Sequence, residues 1–246
     1  MRMVFVVAAV AMLGRSAHAR HLWEEPDAPT YPDALVDRPL LLLPGMTSID
    51  AGYALRSHDQ LRFLDYTPDL DVAHAIGPVE IHASVGGTAS LGVAVPAGFL
   101  DAIVIGAETT PRSADDTMYV SQFIEAEHKL HVVPQSLAFI VGLGAGLDEE
   151  HIRAPGLKWV RVVDASAYAQ IEIQLASILA LYSDASIGIP VAASDGLQFK
   201  NTFGVRAGLS LTLAHSWDLF TTAALAATND NSSYSLGAGV EKRFGP

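Results

Sequence analysis

The stretch LQFKNTFGVRAGLSLTL (Leu197–Leu213) decides the fold. Its odd positions are Leu197, Phe199, Asn201, Phe203, Val205, Ala207, Leu209, Leu211 and Leu213, apolar with one exception. Its even positions are Gln198, Lys200, Thr202, Gly204, Arg206, Gly208, Ser210 and Thr212, all small, polar or charged. A period of two is the mark of a β-strand with two unlike faces, because a helix would scatter both sets around its circumference. At about 3.3 Å per residue the stretch outruns the hydrocarbon layer of a bilayer even when tilted. It reads as a transmembrane strand. The expected fold is all-β, a transmembrane antiparallel up-and-down β-barrel of about twelve strands, with ten as the rival count.

The 246 residues suffice for one large domain. Residues 1–19 have the pattern of a secretory signal peptide: Arg2, an apolar run from Met3 to Leu13, and Ala17 and Ala19 at the small positions before a cleavage site. That run is too short for a membrane-spanning helix, and Gly14 and Arg15 break it. The division is then a signal at 1–19, a periplasmic lead-in at 20–45 and a barrel over 46–246. Half the residues are apolar, yet none of the later runs reaches the roughly twenty that a helical span needs. Apolar residues spread by alternation suit a barrel.

The chain has no cysteine, which excludes disulfides, thiolate metal sites and a lipid anchor on an N-terminal Cys. Stability must come from elsewhere, and a closed hydrogen-bond network in lipid supplies it. Loss of residues 1–19 would remove Arg2 and Arg15 and no acid, taking the net charge from −12 to −14. Nucleic acid is not an expected partner of so acidic a chain.

The lead-in carries Pro26, Pro29, Pro32, Pro39 and Pro44 and reads as extended and irregular. Strands are expected from Thr47 to Leu55, then, after a loop around 57–68, from Asp69 to Ile76. Further strands follow Gly77-Pro78, Thr88 and Gly98, with a loop at 110–116. Thr117–Leu130 and the run after Pro134 make the sixth and seventh, before a charged loop at 148–158. The eighth covers Asp164–Leu175, Ser183-Asp184 is expected to turn, and Pro190 weakens the ninth. The stretch 197–213 is the tenth, Asp218–Thr228 the eleventh and Ser233–Phe244 the twelfth, in which Lys242 alone breaks the alternation.

The segment Asp37-Arg38-Pro39-Leu40 through Leu43-Pro44-Gly45-Met46 resembles the approach to the first strand in bacterial outer-membrane β-barrel proteins of the transporter and porin-like kind. A last strand that reaches the aromatic Phe244, here followed by Gly245-Pro246, resembles the sorting signal of such barrels. The resemblance implies a cell outer-membrane location, outer-membrane lipid and the barrel-assembly machinery as partners, and transport of small solutes.

A soluble barrel shares the period but turns its apolar face inward. Two features favour the membrane. Charges of both signs lie among Gly and Ser on the less apolar face, as in a wet lumen. Large aromatics fall near strand ends, as in an interfacial girdle. The expected girdle is Tyr53, Trp159, Phe199, Phe203, Trp217, Tyr234 and Phe244. The expected lumen lining is Glu80, His82, Glu125, Glu127, Asp164, Tyr168, Glu172, Lys200, Arg206, Glu241 and Arg243, joined by Lys129. Acids outnumber bases there, so an open path would favour cations or neutral solutes. Twelve strands lie between filled eight-stranded barrels and water-filled sixteen-stranded ones, so a plugged structural or surface-interaction barrel is the rival.

Catalysis is not expected. His82-Ala83-Ser84 has the His-x-Ser spacing found on strands of outer-membrane phospholipases and lipid A deacylases, and a strand would put both side chains on one face. The flanking residues of the phospholipases are missing, and the pair points into the lumen, away from acyl chains, so hydrogen bonding there is the plainer reading. His74, His128, His131, His151 and His215 have no metal-ligand spacing, so no metal is expected. Gly142, Gly144 and Gly146, and Gly237 and Gly239, lie in strand alternation with no helix after them. They make room for neighbours, and no cofactor is expected.

Overall fold

A computed structural model describes residues 31–58, 61–86, 88–112, 117–152, 158–194, 200–214, 216–228 and 232–245. The proposed signal at 1–19 lies outside them. The strands are β1 Thr47–His58, β2 Leu61–Ile76, β3 Val79–Val85, β4 Ala89–Ala97, β5 Leu100–Arg112 and β6 Thr117–Val133. They continue as β7 Leu137–Ile152, β8 Lys158–Ala176, β9 Leu179–Ala193, β10 Thr202–Ala214, β11 Trp217–Ala227 and β12 Ser232–Phe244. Each strand pairs antiparallel with its neighbours in sequence, and β1 pairs with β12 from Thr47↔Phe244 to His58↔Ser233. The sheet is therefore a closed twelve-stranded up-and-down barrel, with no edge left to satisfy in lipid.

The two rims differ. At one, the turn end, lie the start of β1, the end of β12 and short turns at Gly77-Pro78, Gly98-Phe99 and Ser177-Ile178. Gly77 and Gly98 take φ of 61° and 63°, the left-handed backbone that such tight turns require. The opposite rim, the loop end, is uneven. β3 has 7 residues and β8 has 19, so the wall is low at β3–β4 and tall at β6–β9. At about 3.3 Å per residue β8 runs roughly 60 Å, beyond what a tilted strand needs to cross a bilayer.

This height corrects several expected boundaries. β2 begins at Leu61, β5 runs to Arg112, β7 reaches Ile152 and β8 starts at Lys158, where loops were expected. Beyond the lipid a strand needs no apolar face, so its residues read as loop although the ladder continues. Ser183-Asp184 is not a turn. Both lie within β9, with Ser183 opposite Ala207 and Asp184 opposite Arg206, and the chain turns at Ser177-Ile178. Pro190 stays in β9 where the β8 register slips between Val163 and Asp164, so it sits where the ladder is already interrupted. The ladder of β10 starts at Thr202, not 197, and residues 195–199 lie outside the described ones.

The apolar set faces out. Val205 is 51% exposed, Leu209 44% and Leu143 69%, values that an internal core would not allow. Arg206 faces the interior, where its Nε donates to Asp184 at 2.6 Å. Lys242, the misfit of the last strand, faces out at the turn end. Its Nζ lies 4.6 Å from the Trp217 ring centroid and 5.5 Å from that of Phe244, an aromatic and basic cluster suited to a membrane interface. Phe203 and Tyr234 belong to the outer face near the loop end. Tyr53 departs from the expected girdle: it is on the outer face partway up β1, because β1 extends to His58. Phe199 and the side chain of Trp159 lie outside the described residues.

Candidate functional site

The lumen is the candidate site, and strand alternation builds it. Inward side chains come from Ser48 and Asp50 on β1, Asp69 and Asp71 on β2, and Glu80 and His82 on β3. Glu125, Glu127 and Lys129 follow on β6, with Asp164, Tyr168 and Glu172 on β8. Arg206, Asp218, Glu241 and Arg243 complete the ring from β10 to β12. Of the expected lining, Lys200 alone is not on a strand. It is exposed at the loop end, just before β10.

The turn end is filled by the lead-in. Residues 31–43 fold back inside the barrel mouth, with one 3-10 turn at Leu35–Asp37, while Gly45 and Met46 extend the β1–β2 ladder onto Ala75. Val36 is completely buried and Arg38 is 6% exposed. The Arg38 guanidinium forks onto Asp218 at 2.7 and 3.1 Å and also donates to Thr212 Oγ1 at 3.2 Å. It further donates to the carbonyls of Pro32 at 3.2 Å and Asp33 at 2.7 Å. Asp218, itself 1% exposed, takes a second guanidinium, Arg243, which also pairs with Glu241 at 2.9 Å. Glu241 accepts from Ser48 Oγ at 2.7 Å.

Across the mouth, Lys129 Nζ donates to the carbonyls of Leu35 at 3.1 Å and Arg38 at 2.9 Å, and pairs with Glu172 at 2.7 Å. Three partners saturate an ammonium. On a third side Glu80 accepts the Leu42 N–H and pairs with His82 at 2.9 Å. The lead-in thus spans the mouth between β3, β6 and β11. Tyr31 packs here too, with its ring centroid 6.0 Å from the Arg38 guanidinium and 5.3 Å from that of Arg243. Burial pushes its phenol up to about 12, against the pull of both guanidiniums.

The middle of the lumen is acidic. Tyr168 reaches from β8 across β7 to donate to Glu127 on β6. It lies over Gly142, where a Cβ would collide with its ring. Asp50 stands opposite Asp71 in the β1–β2 register, and Gly52 opposite Asp69. Among the described residues, no Lys or Arg forms an ion pair with Asp50, Asp69, Asp71 or Glu125, whereas Arg206 is held by Asp184. Nearer the loop end, a cavity of about 260 Å³ is bounded by Tyr119, Asp148, Val162, Asp164, Pro190 and Lys200.

His82 and Ser84 share the inner face of β3 but have different partners. His82 pairs with Glu80, and Ser84 Oγ lies 2.6 Å from Ser90 Oγ. The inward alternation also brings in Asp50, Asp69, Asp71, Asp184 and Asp218, which the sequence reading did not single out. The signal was there for the first three, since Asp50 lies between Ile49 and Ala51 and the other two flank Leu70. Nothing in the sequence marks Arg38 as a lumen residue.

No protein-family model and no curated protein matches the sequence. Solved structures do match. The NanC porin superposes with a TM-score of 0.51 at 10% identity, over 77% of this chain and 98% of that one. The KdgM porin, in complex with disordered oligogalacturonate, superposes with a TM-score of 0.50 at 10% identity, over 80% and 99%. The translocator domain of the autotransporter NalP from Neisseria meningitidis gives 0.48 at 14% identity, over 81% and 86%. At such identity the likeness is one of fold, and the chain has the closed barrel fold of the bacterial outer-membrane β-barrels.

Proposed function

We propose that the protein is a narrow outer-membrane channel for small cationic or neutral solutes, without enzymatic activity. The turn end, with the termini and the lead-in, is assigned to the periplasm, since barrels of this class keep their short turns there. The C-terminal strand is assigned to recognition by the assembly machinery.

One observation carries the channel reading. Asp50, Asp69, Asp71 and Glu125 line the lumen without a Lys or Arg ion-pair partner among the described residues. A wall built only to be filled would pair its charges, whereas unpaired carboxylates in a wet lumen draw cations and repel anions. Planar-bilayer recording under a salt gradient tests this. Current steps whose reversal potential favours cations, however rare, are expected, and Asp71→Asn with Glu125→Gln moves that potential toward zero. Anion preference contradicts the proposal. A second reading, a structural or surface-interaction barrel with a blocked lumen, draws on the lead-in filling the mouth, and it predicts no steps from folded protein.

A further inference from the structure

We propose that residues 31–43 are a displaceable plug that closes the turn end of the lumen, held by a socket of Lys129, Asp218 and Glu80, while Gly45 and Met46 stay with the wall through their backbone bonds to Ala75. The inference rests on the channel reading above.

The socket is complete without the plug. Asp218 keeps Arg243, Lys129 keeps Glu172, and Glu80 keeps His82 when the lead-in leaves. The departure therefore orphans neither Asp218 nor Lys129, the two wall charges that carry the plug's strongest contacts. Nor does the wall need the segment for closure, because β1 and β12 pair with each other along their length. A segment built as permanent core would bind through apolar side chains. Here Val36 is the one fully buried apolar side chain of residues 31–43, the leucines are only half-buried, and the hydrogen-bonded anchors are polar. Polar anchors exchange for water at little net cost, whereas buried apolar area does not.

The plug also has a specific reader. Lys129 binds two backbone carbonyls of the plug, those of Leu35 and Arg38, and Arg38 in turn forks onto Asp218. The two contacts bracket the 3-10 turn from opposite sides of the lumen. Releasing either loosens the same short segment.

The test uses the full chain, which has no native cysteine to interfere. A Val36→Cys barrel in lipid vesicles is exposed to a membrane-impermeant maleimide, and the same protein is recorded in planar bilayers. Slow labelling and rare steps are expected. Adding Arg38→Ala raises both labelling rate and open time by about tenfold or more, the change that corresponds to about 1.4 kcal/mol. Lys129→Gln gives a second release variant in case the first folds poorly, with folding checked by heat-modifiable mobility. A disulfide between Asp37→Cys and Gln135→Cys, placed where the Gln135 N–H meets Asp37 Oδ1 at 3.2 Å, returns the Arg38→Ala barrel to silence until reduced.

Frequent steps while Val36→Cys stays protected would overturn the plug and leave the channel standing. Fast labelling with silent, folded barrels would overturn the channel reading itself, and the plug with it.

Discussion

Arg38 and Asp218 lie 180 positions apart in the chain and meet at 2.7 Å, both almost fully shielded from water. Asp218 is the hinge of this cluster because it serves Arg243 as well. Asp218→Ala leaves two buried guanidiniums without their shared partner and should cost about 3–5 kcal/mol. Arg38→Ala leaves Asp218 still paired and should cost about 1–3 kcal/mol. Urea unfolding in lipid vesicles measures both, and equal costs would refute a wall that is self-sufficient in charge.

The two faces of the wall should respond differently to one substitution. Leu209→Arg, on the outer face, should destabilise by about 2–4 kcal/mol if it lies near the bilayer midplane. Ser186→Arg on the lumen side, where Ser186 is exposed, should cost under about 1 kcal/mol. The same unfolding assay reads both.

Gly142 and Tyr168 should be energetically coupled. A methyl group at Gly142 collides with the Tyr168 ring, so Gly142→Ala should cost about 1–3 kcal/mol and disturb the Tyr168–Glu127 bond. In a Tyr168→Ala background the collision is gone and most of that cost should vanish. A double-mutant cycle with no coupling would rule out this packing.

Alkali should loosen the lead-in. Burial raises the Tyr31 phenol from its ordinary 10.0 to about 12, so the docked state favours the neutral ring. Below pH 10 the phenol is neutral whether docked or free, and docking is unaffected. Between pH 10 and 12 the free phenol ionises and the docked one does not, so docking weakens by up to about 1.4 kcal/mol per pH unit. Labelling at Val36→Cys, corrected for the intrinsic rise in thiolate reactivity, should accelerate across that window. In a Tyr31→Phe background the acceleration should be weaker.

Much of the barrel was legible from alternation. Where lipid lies on one side and water on the other, each residue must declare its face, as from Phe203 to Thr212. Above the lipid that constraint ends, which is why the upper parts of β2, β5, β7 and β8 read as loops. Lys242 looked like an error of pattern because alternation does not show that an outward lysine at a rim can rest on Trp217 and Phe244. The same period of two is why Glu80, Glu125, Tyr168, Glu172 and Glu241 share one face of the sheet, whereas Lys200 precedes the ladder of β10. The lead-in was not legible. Its prolines allow any irregular path, and the bonds from Arg38 to Asp218 and from Lys129 to its carbonyls are long-range contacts that no local spacing encodes.

The most direct check is of direction along β10. Single spin labels placed in turn from 203 to 212 in lipid vesicles report collisions with dissolved oxygen, enriched in acyl chains, and with a water-soluble nickel chelate. Oxygen maxima at 203, 205, 207, 209 and 211, out of phase with nickel maxima at 204 and 206, are predicted. Nickel maxima at 205 and 209 with oxygen maxima at 206 would turn the barrel inside out and end the membrane assignment.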